Sequence, residues 1–414
     1  MPGLGVARIS RLAISIVLIA LGVTQTAPAE VNAAGESWFN DSWQFRKAIT
    51  IDATKVSSGP HTDFPVLVNL SSDASLAANA QADGDDILFT SSGGATQLSH
   101  EIETYTSGGT LTAWVKVPSL PSSTDTVLFM YYGNGSATSQ QNATGVWDAN
   151  YAAVYHLKEN PAVAGANGII DSTSNANHGT DNNTVGTVTG QIDGSLNFTG
   201  AGYVQAPSST SLNIGGTAIT ISFWASVTDT GGDSALLAKA LAGPTAYQYA
   251  VEFDGNGANT FDFYFGDTGG VLRGPFTTLP TAGVLQYGVF TYDGANVKRY
   301  LNGVQTGTTT ATQSIGTSTN PFRLGGDYNT IPGQLYTGKL DEVRVSNVAR
   351  AAGWITTEFN NQGTPTTFYA VGTATVQQPT VTTGSATNVT TSSATLNGTV
   401  NALARQQRRS SSLG

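Results

Sequence analysis

The 414-residue sequence has no cysteine, which excludes disulfide staples and thiolate metal sites. Charged side chains are also scarce, at 11 % of the chain. A helical protein of this length would carry many more Glu, Lys and Arg residues on its exposed faces. Histidine occurs only at His61, His100, His156 and His178, with no HExxH or comparable ligand spacing. No Gly-x-Ser-x-Gly elbow is present to raise a serine nucleophile. Positive charge is in deficit: the formal net charge is −10, and an acidic surface repels phosphate backbones, so nucleic acid is excluded as a partner class.

What the chain has in quantity is Gly, Ser, Thr and Asn, with 48 glycines. That composition suits short strands joined by tight turns. At the N-terminus, Arg8 and Arg11 precede the apolar run LAISIVLIALGV, residues 12–23. Ala27-Pro-Ala29 and Val31-Asn-Ala33 then offer small-x-small cleavage sites. Residues 1–33 therefore read as a secretory signal peptide, cut at Ala29 or Ala33, and the run is short for a membrane span. The mature protein is expected to be secreted or held at the cell surface, without a span of its own. The sequence does not give its oligomeric state.

From 34 to 145 the segments FRKAITI, FPVLVNL, DILFT, LTAWVKV and TVLFMYYG alternate apolar and polar residues between turn clusters. This pattern predicts a β-sandwich. In order, WFNDSWQFRKAITID, DGDDILFTSSGG, LSHEIETY and VLFMYYGN resemble an uncharacterised bacterial surface domain found before laminin G-type modules. That resemblance implies architecture and no chemistry.

Residues 146–373 continue with VWDANYAAVYHLKEN, GSLNFTGAGYVQAP, ITISFWASV, YQYAVEFDG, FDFYFGD and LQYGVFTYDGANVKRYLNGVQTGT. Asp293-Gly294 and Asn302-Gly303 mark tight turns between strand-like runs. The closing stretch GKLDEVRVSNVARAAGWITTEF reads as a strand burying Leu340, Val343 and Val345 on one face, with its acidic residues solvated. Asn347 is the expected N-cap of a short helix anchored by Trp354. These segments, GKLDEVRVSNVAR above all, resemble concanavalin A-like, laminin G-type jelly rolls. The expected fold is all-β: a β-sandwich followed by a concanavalin A-like (laminin G-type) jelly roll. Residues 374–414 read as a linker and the opening of a fibronectin type III-like repeat, PTVTTGSATNVTTSSATLNGTVNA, with a tail lacking strand pattern.

The same resemblance implies a calcium site shared by Asp171 and Asp341, with Asn175 and Asn177 on the intervening loop. Calcium takes about six to eight oxygen ligands, which this oxygen-rich loop can offer. Read from its residues alone, the loop is equally a polar turn closed by side-chain to backbone bonds. Glu101 and Glu103 share a strand face by spacing, but no third acid follows and an exposed face is expected. His156 is expected to be structural, and no residue is assigned a catalytic role. Tyr247, Asp267, Asp327 and Tyr328 lie near loops of the jelly roll. Aromatic rings with a few polar groups suit sugar recognition. The expected function is non-catalytic binding of a glycan or cell-surface ligand, or adhesion, supported by calcium. The alternatives are a polysaccharide-degrading enzyme with an unfamiliar site and a structural or protein-binding spacer.

Overall fold

The computed structural model describes residues 38–401 apart from 184, 229–231, 241–246, 256, 328–333 and 379. The expected signal peptide, Tyr328 and the tail beyond Asn401 lie outside the described residues. Among those described, no helix is long and apolar enough to cross a membrane.

The first β-unit has two layers. One sheet runs Tyr369–Val371, Phe45–Ile51, Thr126–Tyr132, Leu88–Ser91, Gln97–Leu98 in spatial order, and Thr375–Val376 also pairs with Phe45–Ile51. The other contains His61–Leu70, Thr110–Leu120 and His100–Thr106. Alternate residues of both sheets, among them Ile49, Ile51, Val66, Val68, Ala113, Val115, Leu128 and Met130, form a shared core. Two strands of the first sheet, at 369–371 and 375–376, follow the jelly roll in sequence. The chain thus returns to its starting unit.

The jelly roll faces an eight-stranded sheet against a seven-stranded one. Asn302 and Gly303 have φ of 49° and 74°, the left-handed pair that a two-residue primed turn demands, between Asn296–Leu301 and Val304–Thr310. The closing strand, Thr337–Ser346, lies inside the eight-stranded sheet, flanked by Gly194–Thr199, Ile219–Val227 and Tyr151–Tyr155.

Two expectations for this closing segment are corrected. Leu340, Val343 and Val345 do enter the core, but Asp341, Glu342 and Arg344 are buried as well. Their face is covered by the closing helix and by the first unit. The helix is Ala352–Gly363, and Ala351, not Asn347, precedes it. Residues 347–351 make a separate link, in which Arg350 forms a two-pronged ion pair with Asp148 at 2.9 Å. Trp354 anchors the helix as expected, 4.7 Å from the Phe64 ring and 5.6 Å from His61. Residues 380–383 and 398–401 pair as an isolated two-stranded sheet.

Candidate functional site

The loop after Tyr151–Tyr155 is organised by Asp171. Its Oδ1 accepts from the backbone N–H groups of Val154 and Thr173, both at 3.0 Å. Its Oδ2 accepts from the Thr173 hydroxyl and the Asn177 N–H. Asn175 and Asn177 turn their amide nitrogens to the carbonyls of Tyr151 and Ala152. Asp341 accepts from the N–H groups of Gln191 and Ile192 through Oδ2. Protein donors occupy both Asp171 oxygens, and the loop amides present nitrogen to their neighbours. Of the two carboxylates only Asp341 keeps an oxygen, Oδ1, that is buried with no hydrogen-bond partner, and one such oxygen does not make a calcium cage.

Charge gathers instead where the two β-units meet. In the closing strand, Ser222 pairs with Arg344 while Trp224 pairs with Asp341, so the closing strand carries one extra residue. This is a β-bulge, and Glu342 sits in it with φ of 49°. The bulge shifts the alternation by one position and puts Asp341, Glu342 and Arg344 on the same side. Facing them from the first unit are Glu101 and Glu103, which share a side of His100–Thr106 as their spacing predicts. The expectation that this Glu pair is exposed is corrected: Glu103 is 4 % exposed, under Trp114.

His156 lies between the two groups. Its Nδ1 is 2.6 Å from Glu342 Oε1 and 3.5 Å from Glu103 Oε2, and its Nε2 is 3.4 Å from Glu101 Oε2. Arg344 donates to Glu342 at 2.6 Å and to Glu358 of the closing helix at 3.0 Å. Its guanidinium lies 4.4 Å from the Trp114 ring and 4.9 Å from that of Trp147. Glu101 also accepts from Trp147 Nε1 and from the Ser172 hydroxyl. Burial acts against the charge on His156, but Glu342, Glu103 and Glu101 together hold the imidazolium well above its usual range. Burial likewise raises Glu101, yet the His156 charge and the hydrogen bonds from His156, Ser172 and Trp147 outweigh it and bring that carboxyl to about 2. For Glu103 burial wins, and its carboxyl is pushed up to about 8.

A carboxyl raised from 4.5 to about 8 holds its proton more tightly in the folded chain. Its contribution to stability is full below the unfolded value and is lost as pH rises toward 8. Glu103→Gln keeps the shape without the titration. Its melting temperature, measured metal-free, should therefore gain on that of the native chain steadily from pH 5 to pH 8. A constant difference across that range would show that Glu103 is already ionised when folded.

The second gathering of polar groups is on the outer face of the seven-stranded sheet. Val204, Leu324, Val251 and Phe263 point into the core, so Tyr203, Gln205, Arg323, Glu252, Asp262 and Tyr264 lie on the opposite face. Register places Tyr264, Ala250, Ala238, Arg323 and Gln205 in one row across five strands. Arg323 lies 4.2 Å from the Tyr203 ring and bonds to Gln205 at 2.9 Å. At the other end Tyr247 sits 6.4 Å from Tyr264, and its hydroxyl donates to Asp327 at 3.2 Å. Ala250 and Ala238, between these ends, are 0 % and 2 % exposed, overhung by the longer side chains around them. Glu252, beside Asp262, is pushed up to about 7 by burial, with Asp327, Asp233 and Asp262 adding to the rise against the Tyr247 bond.

Of the expected ligand residues, Tyr247 and Asp327 are thus brought together. Asp267 belongs to a turn, where it accepts from the N–H groups of Gly269 and Val271 and pairs with Arg273. Sequence reasoning missed Tyr203, Glu252, Asp262 and Arg323, because only strand register shows that they share a face. A separate cleft of about 480 Å³ is lined by Asn175, Thr210, Ser211, Asn213, Ile214 and Asn347, and it has neither charge nor an aromatic wall.

The two packed β-units make an all-β protein. Residues 198–356 match the family model of the Concanavalin A-like lectin/glucanases superfamily. Residues 83–157 match a domain of unknown function, DUF2341. No curated protein matches the chain. Among solved structures, it is similar to domain 4 of an extracellular GH43 arabinanase from Geobacillus stearothermophilus, in complex with arabinotriose. Identity is 18 % and the TM-score 0.40, over 52 % of this chain and all of that one. It is also similar to the binding domain of Paraclostridial Mosquitocidal Protein 1, at 15 % identity and TM-score 0.40, over 51 % of this chain and 52 % of that one. The third similarity is to the botulinum neurotoxin serotype G binding domain, at 13 % identity and TM-score 0.38, over 51 % and 50 %. The match spans about half the length of each toxin chain.

Proposed function

We propose that this is an exported, non-catalytic binding protein that recognises a glycan on the outer face of the seven-stranded sheet. The observation that carries the reading is the row from Tyr264 to Arg323, with aromatic groups at both ends and alanine between. Sugars present C–H faces that stack on aromatic rings, and hydroxyls that pair with carboxylate, amide and guanidinium groups. Tyr203, Tyr247 and Tyr264 supply the rings and Gln205, Arg323 and Glu252 the polar partners, while Asp327, 0 % exposed, holds the Tyr247 hydroxyl from beneath. The amide-lined cleft offers hydrogen bonds but no ring, so the sheet face is preferred. Export rests on the Arg8, Arg11 and apolar pattern of the N-terminus.

The full chain on a broad glycan array should give reproducible binding to a subset of glycans. Replacing both Tyr247 and Tyr264 with Ala should weaken that binding by about tenfold or more, since each lost ring removes on the order of 1 kcal/mol. Binding that survives the double replacement unchanged moves the site off this face, and a blank array removes the glycan reading.

A further inference from the structure

We propose that Glu103, His156 and Glu342 form a closed site for one divalent transition-metal ion of the zinc class, held between the two β-units. These residues come from three separated stretches of the chain, yet one donor atom from each lies within 4.8 Å of the others. One imidazole nitrogen with carboxylate oxygens is a donor set that suits zinc, at about 2.0–2.2 Å from each ligand. Two such donors at a tetrahedral angle stand roughly 3.4 Å apart. His156 Nδ1 and Glu103 Oε2 already stand 3.5 Å apart. Glu342 Oε1, at 2.6 Å from Nδ1, occupies the hydrogen-bond position and has to withdraw by less than its own radius.

All three residues are also held by neighbours, as metal ligands are. His156 Nε2 faces Glu101, Trp114 Nε1 donates to Glu103 Oε2, and Arg344 holds Glu342 Oε2. Independently of the cluster, the other oxygen of Glu103 is fully buried and has no hydrogen-bond partner. A buried oxygen in that state is costly, and coordination would give it a partner and the ion a fourth donor. Entry of the ion displaces the proton that lies between His156 Nδ1 and Glu342. All three ligands are buried, with His156 between the Trp114 and Trp147 rings, and the role of the site is structural: it joins the two units.

The test uses the full chain stripped with chelator and equilibrated with zinc chloride alone. Bound metal is counted by atomic emission and the melting temperature followed. About one zinc per chain is expected, with a rise of several degrees at saturating metal. Glu103→Gln is the deciding variant, because its amide keeps the shape and the bond from Trp114. It should fold, and its zinc affinity should fall by at least about tenfold. Stripped protein that takes up no zinc overturns the proposal. So does zinc held equally by the native chain and Glu103→Gln, which would place the metal elsewhere.

Discussion

Arg344→Met should lower the unfolding free energy of the chain by about 3–5 kcal/mol, because it leaves buried Glu358 without its counter-charge and Glu342 with that of His156 alone. Arg344 is 2 % exposed and bonds to both Glu342 and Glu358, themselves buried. The guanidinium also stacks on Trp114 and Trp147, so the flat cation is lost as well as its charge. The expected measurement is a fall in the urea midpoint at constant slope. Adding Glu342→Gln and Glu358→Gln to Arg344→Met should recover most of the loss, since the penalty lies in the uncompensated carboxylates. A triple variant as unstable as the single one would mean that stacking on the tryptophans, and not charge balance, is what Arg344 contributes.

Trp354→Ala is expected to cost about 3–5 kcal/mol, as large aromatic truncations in a core do. Its loss should be felt in both units. Trp354 sits in the closing helix of the jelly roll but belongs to the core of the first unit, against Phe64 and His61. Three more bonds tie the same helix to that unit: Thr357 to Ser57, Asn360 to Lys55 and Asn361 to Leu67. Hydrogen exchange should therefore quicken in His61–Leu70 as well as in the helix. Protection of His61–Leu70 left at its native level, with only the helix exposed, would show that the first unit does not depend on this contact.

Much of the architecture was legible because strand and turn chemistry are local. The alternating runs, the Asn302-Gly303 turn and the buried set Leu340, Val343 and Val345 all follow from period and residue type. So does the anchoring role of Trp354, which is lodged in a core. The junction was not legible, because each of its parts is ordinary by itself. Glu101 and Glu103 look like one solvated face, and Asp341 and Glu342 look like another. Only the bulge at Glu342 and the meeting of the two units bring them onto His156. One signal was available: with charged residues at 11 % of the chain, acids placed mid-strand beside Trp and Val are more informative than usual. The return of Tyr369–Val371 to Phe45–Ile51 also had no local mark, since pairing across such a separation depends on the whole fold. Likewise the outer face of the seven-stranded sheet combines residues from 203 to 327, and no spacing rule links them.

The most direct measurement is isothermal titration of the strongest array glycan into the native chain, into Tyr264→Ala and into Glu101→Gln. Recognition at the sheet face predicts an affinity about fivefold weaker for Tyr264→Ala and unchanged for Glu101→Gln, whose side chain lies at the junction. Native affinity in Tyr264→Ala, or a loss confined to Glu101→Gln, would contradict binding at the sheet face.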